Sequence, residues 1–476
     1  MGSPYRGVVS RRSGPACSDL SCALCSAMLT RTRPAPKMAL GLLLVASAVA
    51  VPFPLAAQAP SPYRPDVPGS GDRADYAYEL ETTVEDGFTI AAVGDLIMAW
   101  PPEAGDPSNA GLIDVIRAAD VAYANFEAHV LDMRTLPVER NGGFVGEPEV
   151  ATAVRNMGFD VVGRSNNHSG DFGPGGLLTS DSIIRAAGLV SVGSGPDYRW
   201  ARAPGYFMTP KGRTAFIVAS SSFGRNPVSA DDPTRGGSNP LRVTRCTVVP
   251  AARLAEFRDR SDCVRAGDVD KPTWSYAMDQ GDLEAILGSI REAKMRSDFL
   301  AVGIHAHQTV YEDTPVTRYG NSGAVFDPTV ADFLREYAHA TIDAGADAFF
   351  GTGPHILRGI EIYRGRPVFY GLGEFFRQMG IIGLPGSEPT RGSGTLYDPI
   401  RYEHVMAVST FAGGEVSEIR LYPIDLGWAD RFSTRGVPRS PTPEVARRIL
   451  ERLQDLSAPF GTEISIEGEI GVIRPG

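Results

Sequence analysis

From Phe88 onward, short apolar runs alternate with helical stretches, and this alternation restricts the possible folds more than any other property of the chain. Residues 89–93, 121–125, 159–163 and 189–193 read as buried strands, with helices expected at 113–119, 149–157 and 177–187. Further on, 299–304 and 348–350 read as strands, and 283–296 and 330–344 as helices. Strands joined through helices form a mostly parallel sheet whose two faces are both covered. A hairpin is expected at 360–363 and 367–370 around Arg364-Gly365-Arg366, then antiparallel strands at 405–411 and 416–423, and a closing helix at 443–456. Residues 222–275 break the pattern with the turn signals Asp232-Pro233, Gly236-Gly237 and Asn239-Pro240, and read as a long insertion over the core. The order predicts two sheets facing each other with helices outside, in one α/β domain over residues 87–476.

Charge separates the start of the chain from its body. Residues 1–59 carry six basic side chains against the single acid Asp19, while the whole chain has a formal net charge of −10. An acidic body excludes a partner held through nucleic-acid phosphates. The apolar run 38–50 follows Arg31, Arg33 and Lys37 and precedes small residues, the pattern of a signal peptide; left uncut, it would serve as an N-terminal anchor. Either way the expected location is extracytoplasmic, at the periplasm or cell surface. Residues 60–86, rich in Pro, Asp and Gly, read as a linker. In an oxidising compartment, Cys246 and Cys263 are expected to pair and to close the loop between them, worth about 3 kcal/mol.

The polar residues of interest fall just beyond strands. Asp95, Asn125 with Glu127, Asn167 with His168, His305 with His307, and His355 each follow an expected strand end, where open α/β sheets bind their ligands. Four of the seven histidines sit at such ends, which leaves His129, His339 and His404, with His339 and His404 read as structural. Taken singly, each element is weak: Gly94-Asp95 also describes a turn cap, and Glu127 alone describes a solvated loop carboxylate. His-x-His is stronger, because both rings lie on one face of an extended segment. The joint set of Asp, Glu, Asn and His donors suits one or two divalent ions of a hydrolytic centre, Mn²⁺ or Zn²⁺, with no thiolate needed.

Gly94-Asp95, Asn125-Phe126-Glu127, Asn166-Asn167-His168 with Asp171-Phe172-Gly173, and Ile304-His305-Ala306-His307 occur in that order. Gly351-Thr352-Gly353-Pro354-His355 and Gly371-Leu372-Gly373-Glu374-Phe375 complete the series. Over residues 88–425 this order resembles the CapA family of poly-γ-glutamate and bacterial capsule synthesis proteins. The resemblance implies a four-layer α/β/β/α sandwich similar to metallophosphoesterases. It implies an anionic polymer such as poly-γ-glutamate or capsule material as partner, together with a membrane synthesis complex. By position it makes Asp95, Glu127, Asn167, His305, His307 and His355 metal ligands, with Glu127 able to bridge two ions. Asp95 and His168 would be the catalytic residues, His168 as general acid.

The chain departs from the family in two places. Relatives usually carry a histidine two or three residues before His355, where this chain has Thr352 and Gly353. They also usually carry Asn at Glu374, a carboxylate that replaces the lost donor if the two loops meet. Three functional classes follow: a polymer-pathway protein, a metal-dependent hydrolase of phosphoesters or polymer amide bonds, and a non-catalytic polymer-binding subunit. Asn125, Arg164, Arg358 and Glu374 are the candidate substrate contacts, and Arg225, Arg235 and Arg377 are further cations at loops able to meet an anionic polymer.

Overall fold

The computed structural model describes residues 80–102, 107–132, 134–135, 143–222, 235–258, 263–310, 327–378, 399–431 and 434–475. The expected signal segment, most of the expected linker and Arg225 lie outside these residues. The linker's last residues already belong to the fold, since Val84 is buried in the main core and Glu85 N–H bonds Lys211 O at 3.0 Å.

Strands β1 (Phe88–Ile97), β2 (Val121–Phe126), β3 (Val161–Gly163) and β4 (Val190–Val192) pair in parallel, each joined to the next through a helix. These helices are α1 (Pro107–Ala118), α2 (Glu149–Asn156) and α3 (Gly173–Ala186). The chain then enters a second sheet through the hairpin β5 (Gly205–Thr209) and β6 (Gly212–Ser220). The insertion follows as a small sheet of its own, β7 (Val243–Pro250), β8 (Val264–Gly267) and β9 (Thr273–Met278). A disulfide joins Cys246 and Cys263 within it. The insertion is therefore more regular than its turn signals suggested, and Trp274 and Tyr276 anchor it in the core.

The second sheet continues through α4 (Gln280–Lys294), β10 (Phe299–His305), α5 (Asp332–Asp343) and β11 (Ala348–Thr352) to the hairpin β12 (Ile360–Tyr363) and β13 (Arg366–Phe369). Its order is β12-β13-β11-β10-β6-β5. The chain then returns to the first sheet with β14 (Glu374–Arg377), β15 (Glu403–Ala412) and β16 (Glu415–Asp425). Helix α6 (Pro443–Ser457) and the hairpin β17 (Ser465–Glu467) and β18 (Ile470–Ile473) complete it. The first sheet runs β17-β18-β16-β15-β1-β2-β3-β4, and β14 lies beside the end of β1.

Side-chain alternation explains how these sheets stack. Ile90 and Ala92 of β1 turn towards the second sheet, and Phe216 and Val218 of β6 meet them in one core. Ala91 and Val93 turn the other way, onto a core formed with Leu112, Ile116 and Val154 of α1 and α2. Ile217 and Val302 turn outward onto Ile286, Ile290, Phe333 and Tyr337 of α4 and α5. The result is four layers, α/β/β/α, as the resemblance implied. Tyr123 ties the sheets together, its ring centroid 5.7 Å from Phe216 and 5.5 Å from Phe350. Truncating either phenylalanine to alanine would cost about 3–5 kcal/mol.

Candidate metal centre

The polar strand ends meet at one end of the sandwich. In the first sheet Asp95 sits in register with Asn125 on one side and Glu374 on the other. In the second, His305 is in register with Thr352. Gly94 permits this convergence, because a Cβ there would lie 1.9 Å from Gly373 O on the neighbouring segment.

Glu127 is the hub. Its carboxylate is wholly buried, and neither oxygen has a hydrogen-bond partner among the described residues. Three imidazole Nε2 atoms surround Oε1: His168 at 3.6 Å, His305 at 3.8 Å and His355 at 3.9 Å. An ionised carboxylate buried without a partner is costly, so the group either keeps its proton or faces a cation. Two groups able to hold a metal ion share this carboxylate: Glu127 with His305 and His307, and Glu127 with Asp95 and His355. In each group the donor atoms lie within 4.8 Å of one another, and all are nitrogen or oxygen, a set suited to Zn²⁺ or Mn²⁺.

Second partners aim these donors. His305 Nδ1 contacts Thr352 Oγ1 at 3.0 Å and Asn125 Nδ2 at 3.2 Å, leaving Nε2 to face Glu127 and His307 Nε2, the latter at 3.1 Å. Asn125 Nδ2 also donates to Asp95 Oδ1 at 2.7 Å. His355 adopts a left-handed backbone with φ 58° and brings Nδ1 within 3.1 Å of Asp95 Oδ2 and 3.0 Å of Glu374 Oε1. His168 donates Nδ1–H to Asp171 Oδ2 at 2.6 Å and packs against Phe144, its ring partly open to solvent. Asn167, beside it, is buried with Oδ1 unbonded among the described residues.

Burial and charge act differently across the cluster. Burial, then Asp95, holds the Glu127 carboxyl well above the usual range. Burial lowers His305 to about 3 despite the pull of Asp95, and burial with the adjacent His305 lowers His307 well below its ordinary value. Burial also opposes charge on His355, but Glu127 and Glu374 outweigh it and raise the ring to about 10. At Glu374 burial is outweighed by Arg377 and then His355, which bring it to about 2.

The two loops do meet at Glu374, but Arg377 Nη1 lies 2.6 Å from each of its oxygens, so the carboxylate balances charge behind His355. The missing histidine has a steric reason at one of its two positions. Gly353 has φ 116°, and a Cβ there would lie 2.8 Å from Ala306 N, so Thr352 alone occupies a place where a side chain fits.

Three arginines depart from the expected polymer-facing role. Arg164 and Arg358 are fully buried and donate to backbone carbonyls, and Arg377 is buried against Glu374. Hydrogen bonding to the protein interior has taken their charge from the surface. Arg235 is exposed. Asp171 and Thr352, as partners of His168 and His305, were not singled out from the sequence. The histidines at 339 and 404 are structural as expected: His339 stacks on Tyr363 at 3.8 Å, and His404 Nε2 bonds Arg401 O at 2.8 Å.

Residues 89–379 match a family model described as bacterial capsule synthesis protein PGA_cap. An uncharacterized protein of Sinorhizobium fredii is 36% identical over 451 residues, covering 83% of this chain and 94% of its own. The PGA biosynthesis protein CapA of Bacillus subtilis is 24% identical over 309 residues, 63% of this chain and 66% of its own. A probable polyglutamine synthesis accessory protein of Mycobacterium tuberculosis is 25% identical over 349 residues, 73% and 75%. Among solved structures, a hypothetical protein from Thermus thermophilus covers 71% of this chain and 99% of its own at TM-score 0.37 and 15% identity. A putative 5'-nucleotidase from Staphylococcus aureus covers 78% and 58% at TM-score 0.35 and 12% identity.

Proposed function

The chain belongs to the bacterial capsule synthesis protein family, and from that premise we propose that it is an exported accessory protein of poly-γ-glutamate or capsule-polymer synthesis working through a divalent-cation centre. Membership of the family, and the resemblance to proteins named for polyglutamate and capsule biosynthesis, support the polymer role. The basic, apolar start of the chain supports export, by a cleaved signal or an N-terminal anchor. The observation that carries the cation is Glu127, a buried carboxylate with both oxygens unbonded among the described residues and three imidazoles facing it.

Asp95, Glu127 and His355 would hold one cation, and Glu127, His305 and His307 a second, with Asn167, buried and with Oδ1 unbonded among the described residues, as a further donor. When bound, a divalent cation in such a set supplies Lewis-acid polarisation of a phosphoryl or carbonyl oxygen. The protein's own part is to exclude water, orient the bond and move a proton. Asp171 keeps the His168 proton on Nδ1 in the neutral ring and turns Nε2 towards Glu127. When both ring nitrogens carry protons, Nε2–H is placed to protonate a leaving oxygen. Because the inner arginines are occupied, an anionic polymer would meet the centre through the cations, with Arg235 the exposed arginine among the described loop cations.

Metal analysis of the purified mature protein, beside an Asp95→Ala/His305→Ala control, tests this reading. One or two equivalents of Mn²⁺ or Zn²⁺ above the control are expected, and a level equal to the control would sink it. Thr352, at the place of a family histidine, favours a second reading in which the centre holds polymer without cutting it. Polymer length after incubation separates the two: shortening supports hydrolysis, and retention of polymer at full length supports holding.

A further inference from the structure

The two innermost arginines share one hydrogen-bonding pattern. Arg164 Nη1 donates to Phe126 O at 2.6 Å and Ala128 O at 2.7 Å, the carbonyls on either side of Glu127. Arg358 Nη1 donates to Ala306 O at 3.4 Å and Nη2 to Gln308 O at 2.7 Å, the carbonyls on either side of His307. Arg164 follows β3 of the first sheet, and Arg358 precedes β12 of the second. Each is itself tied down: Arg164 N–H bonds Val192 O at 2.7 Å, and Arg358 N–H bonds Gly371 O at 3.0 Å. Arg164 is braced further by Asp181 at 3.1 Å.

We propose that Arg164 and Arg358 are positioning residues for the cation centre, one from each sheet. Each grips the carbonyls of the residues before and after a ligand and thereby restricts the direction in which Glu127 or His307 enters the site. The first of each pair of carbonyls lies in the peptide plane that enters the ligand's Cα and the second lies one peptide beyond the plane that leaves it, so the ligand's backbone is held between two anchored points and its Cα–Cβ direction is restricted. A planar guanidinium reaches two acceptors at once in a set geometry, which the point charge of a lysine does not reproduce. Burying a guanidinium is costly for packing alone, and here its donors are directed at the ligand-bearing segments. The proposal rests on reading the centre as a cation site.

The test uses the full mature chain with Arg164→Lys and Arg358→Lys, titrated with Mn²⁺ by calorimetry and followed by urea unfolding and amide hydrogen exchange. Arg164→Lys is expected to weaken both binding steps about 10–100-fold, because Glu127 is shared, and Arg358→Lys to weaken only the step that uses His307. Exchange should quicken at 126–128 in the first variant and at 306–308 in the second, with or without cation. Variants that lose stability yet bind Mn²⁺ like the wild type would make the arginines merely structural and overturn the proposal. Equal weakening of both steps by Arg358→Lys overturns its assignment to His307. Should the wild type bind no Mn²⁺, the cation reading fails by itself, and hydrogen exchange decides the clamp: faster exchange confined to the bracketed segments upholds it, and unchanged exchange overturns it. If Arg164→Lys does not fold, Asp181→Asn loosens the same arginine while leaving it in place, and the same readouts apply.

Discussion

The two ligand groups share Glu127 but hold protons in opposite ways. Around His355 the carboxylates of Asp95, Glu127 and Glu374 crowd one ring and keep it protonated to about pH 10. Around His305 and His307 two rings lie 3.1 Å apart, and burial keeps both neutral, His305 down to about 3. The difference comes from carboxylate count, since both His305 and His355 are buried. One half therefore stores positive charge as a proton that a metal would have to displace, and the other would offer neutral donors.

The largest effect expected on this comparison is its collapse. Glu127→Ala should remove the shared ligand and lower cation affinity in both halves by more than ~100-fold, beyond the range typical of outer partners. Calorimetry that still resolved two tight steps would break the shared-hub description. Next, Asp95→Ala and His307→Ala should each remove one half, so metal analysis after dialysis should show one step retained in each, and loss of the same step in both would merge the halves. A smaller effect is expected from Glu374→Gln. It removes one of the carboxylates that raise His355, so fewer protons should be released on filling that half than the about one per chain expected of the wild type. Titrations in two buffers of different ionisation enthalpy measure this.

The least localised effect is on stability against pH in the chelated protein. His305 and His404, lowered by burial to about 3 and about 4, stay neutral in the fold but protonate near 6.5 when unfolded. The unfolded chain then binds more protons, so stability should fall as pH drops from 6.5 towards 4. His355 works the other way: its contribution is full below about 6.5 and is lost as pH rises through about 10. A urea midpoint that stayed flat from pH 6.5 to 4.5 would contradict the burial-driven shifts.

Much of this arrangement was legible because apolar runs ending in polar residues mark both a strand and the end that faces a ligand. Asp95, Glu127, His305 and His355 were found that way. The strand at Gly212–Ser220 was not, although its run of apolar residues is central to the second sheet, because it enters through a tight hairpin and not from a helix. The four-residue strand at Glu374–Arg377 was hidden by its two charges, which pair with each other indoors. Arg164 and Arg358 were misread for the same reason: sequence pattern does not distinguish a guanidinium bonded to carbonyls from one in water. Asp171 lay inside a quoted motif, but its bond to His168 is a matter of turn geometry that spacing does not reveal.

The hydrogen bond between His355 and Asp95 spans 260 positions of chain. Bringing such distant segments together carries the entropic penalty of closing a very long loop and belongs to the late, non-local stage of folding. A chain released up to β10 would own Asp95, Glu127 and His305 yet lack the partner that closes the first ligand group. If the centre takes up a cation, filling of the group of Asp95, Glu127 and His355 would be a timer for maturation, registering the moment when the segment after β11 has joined the first sheet.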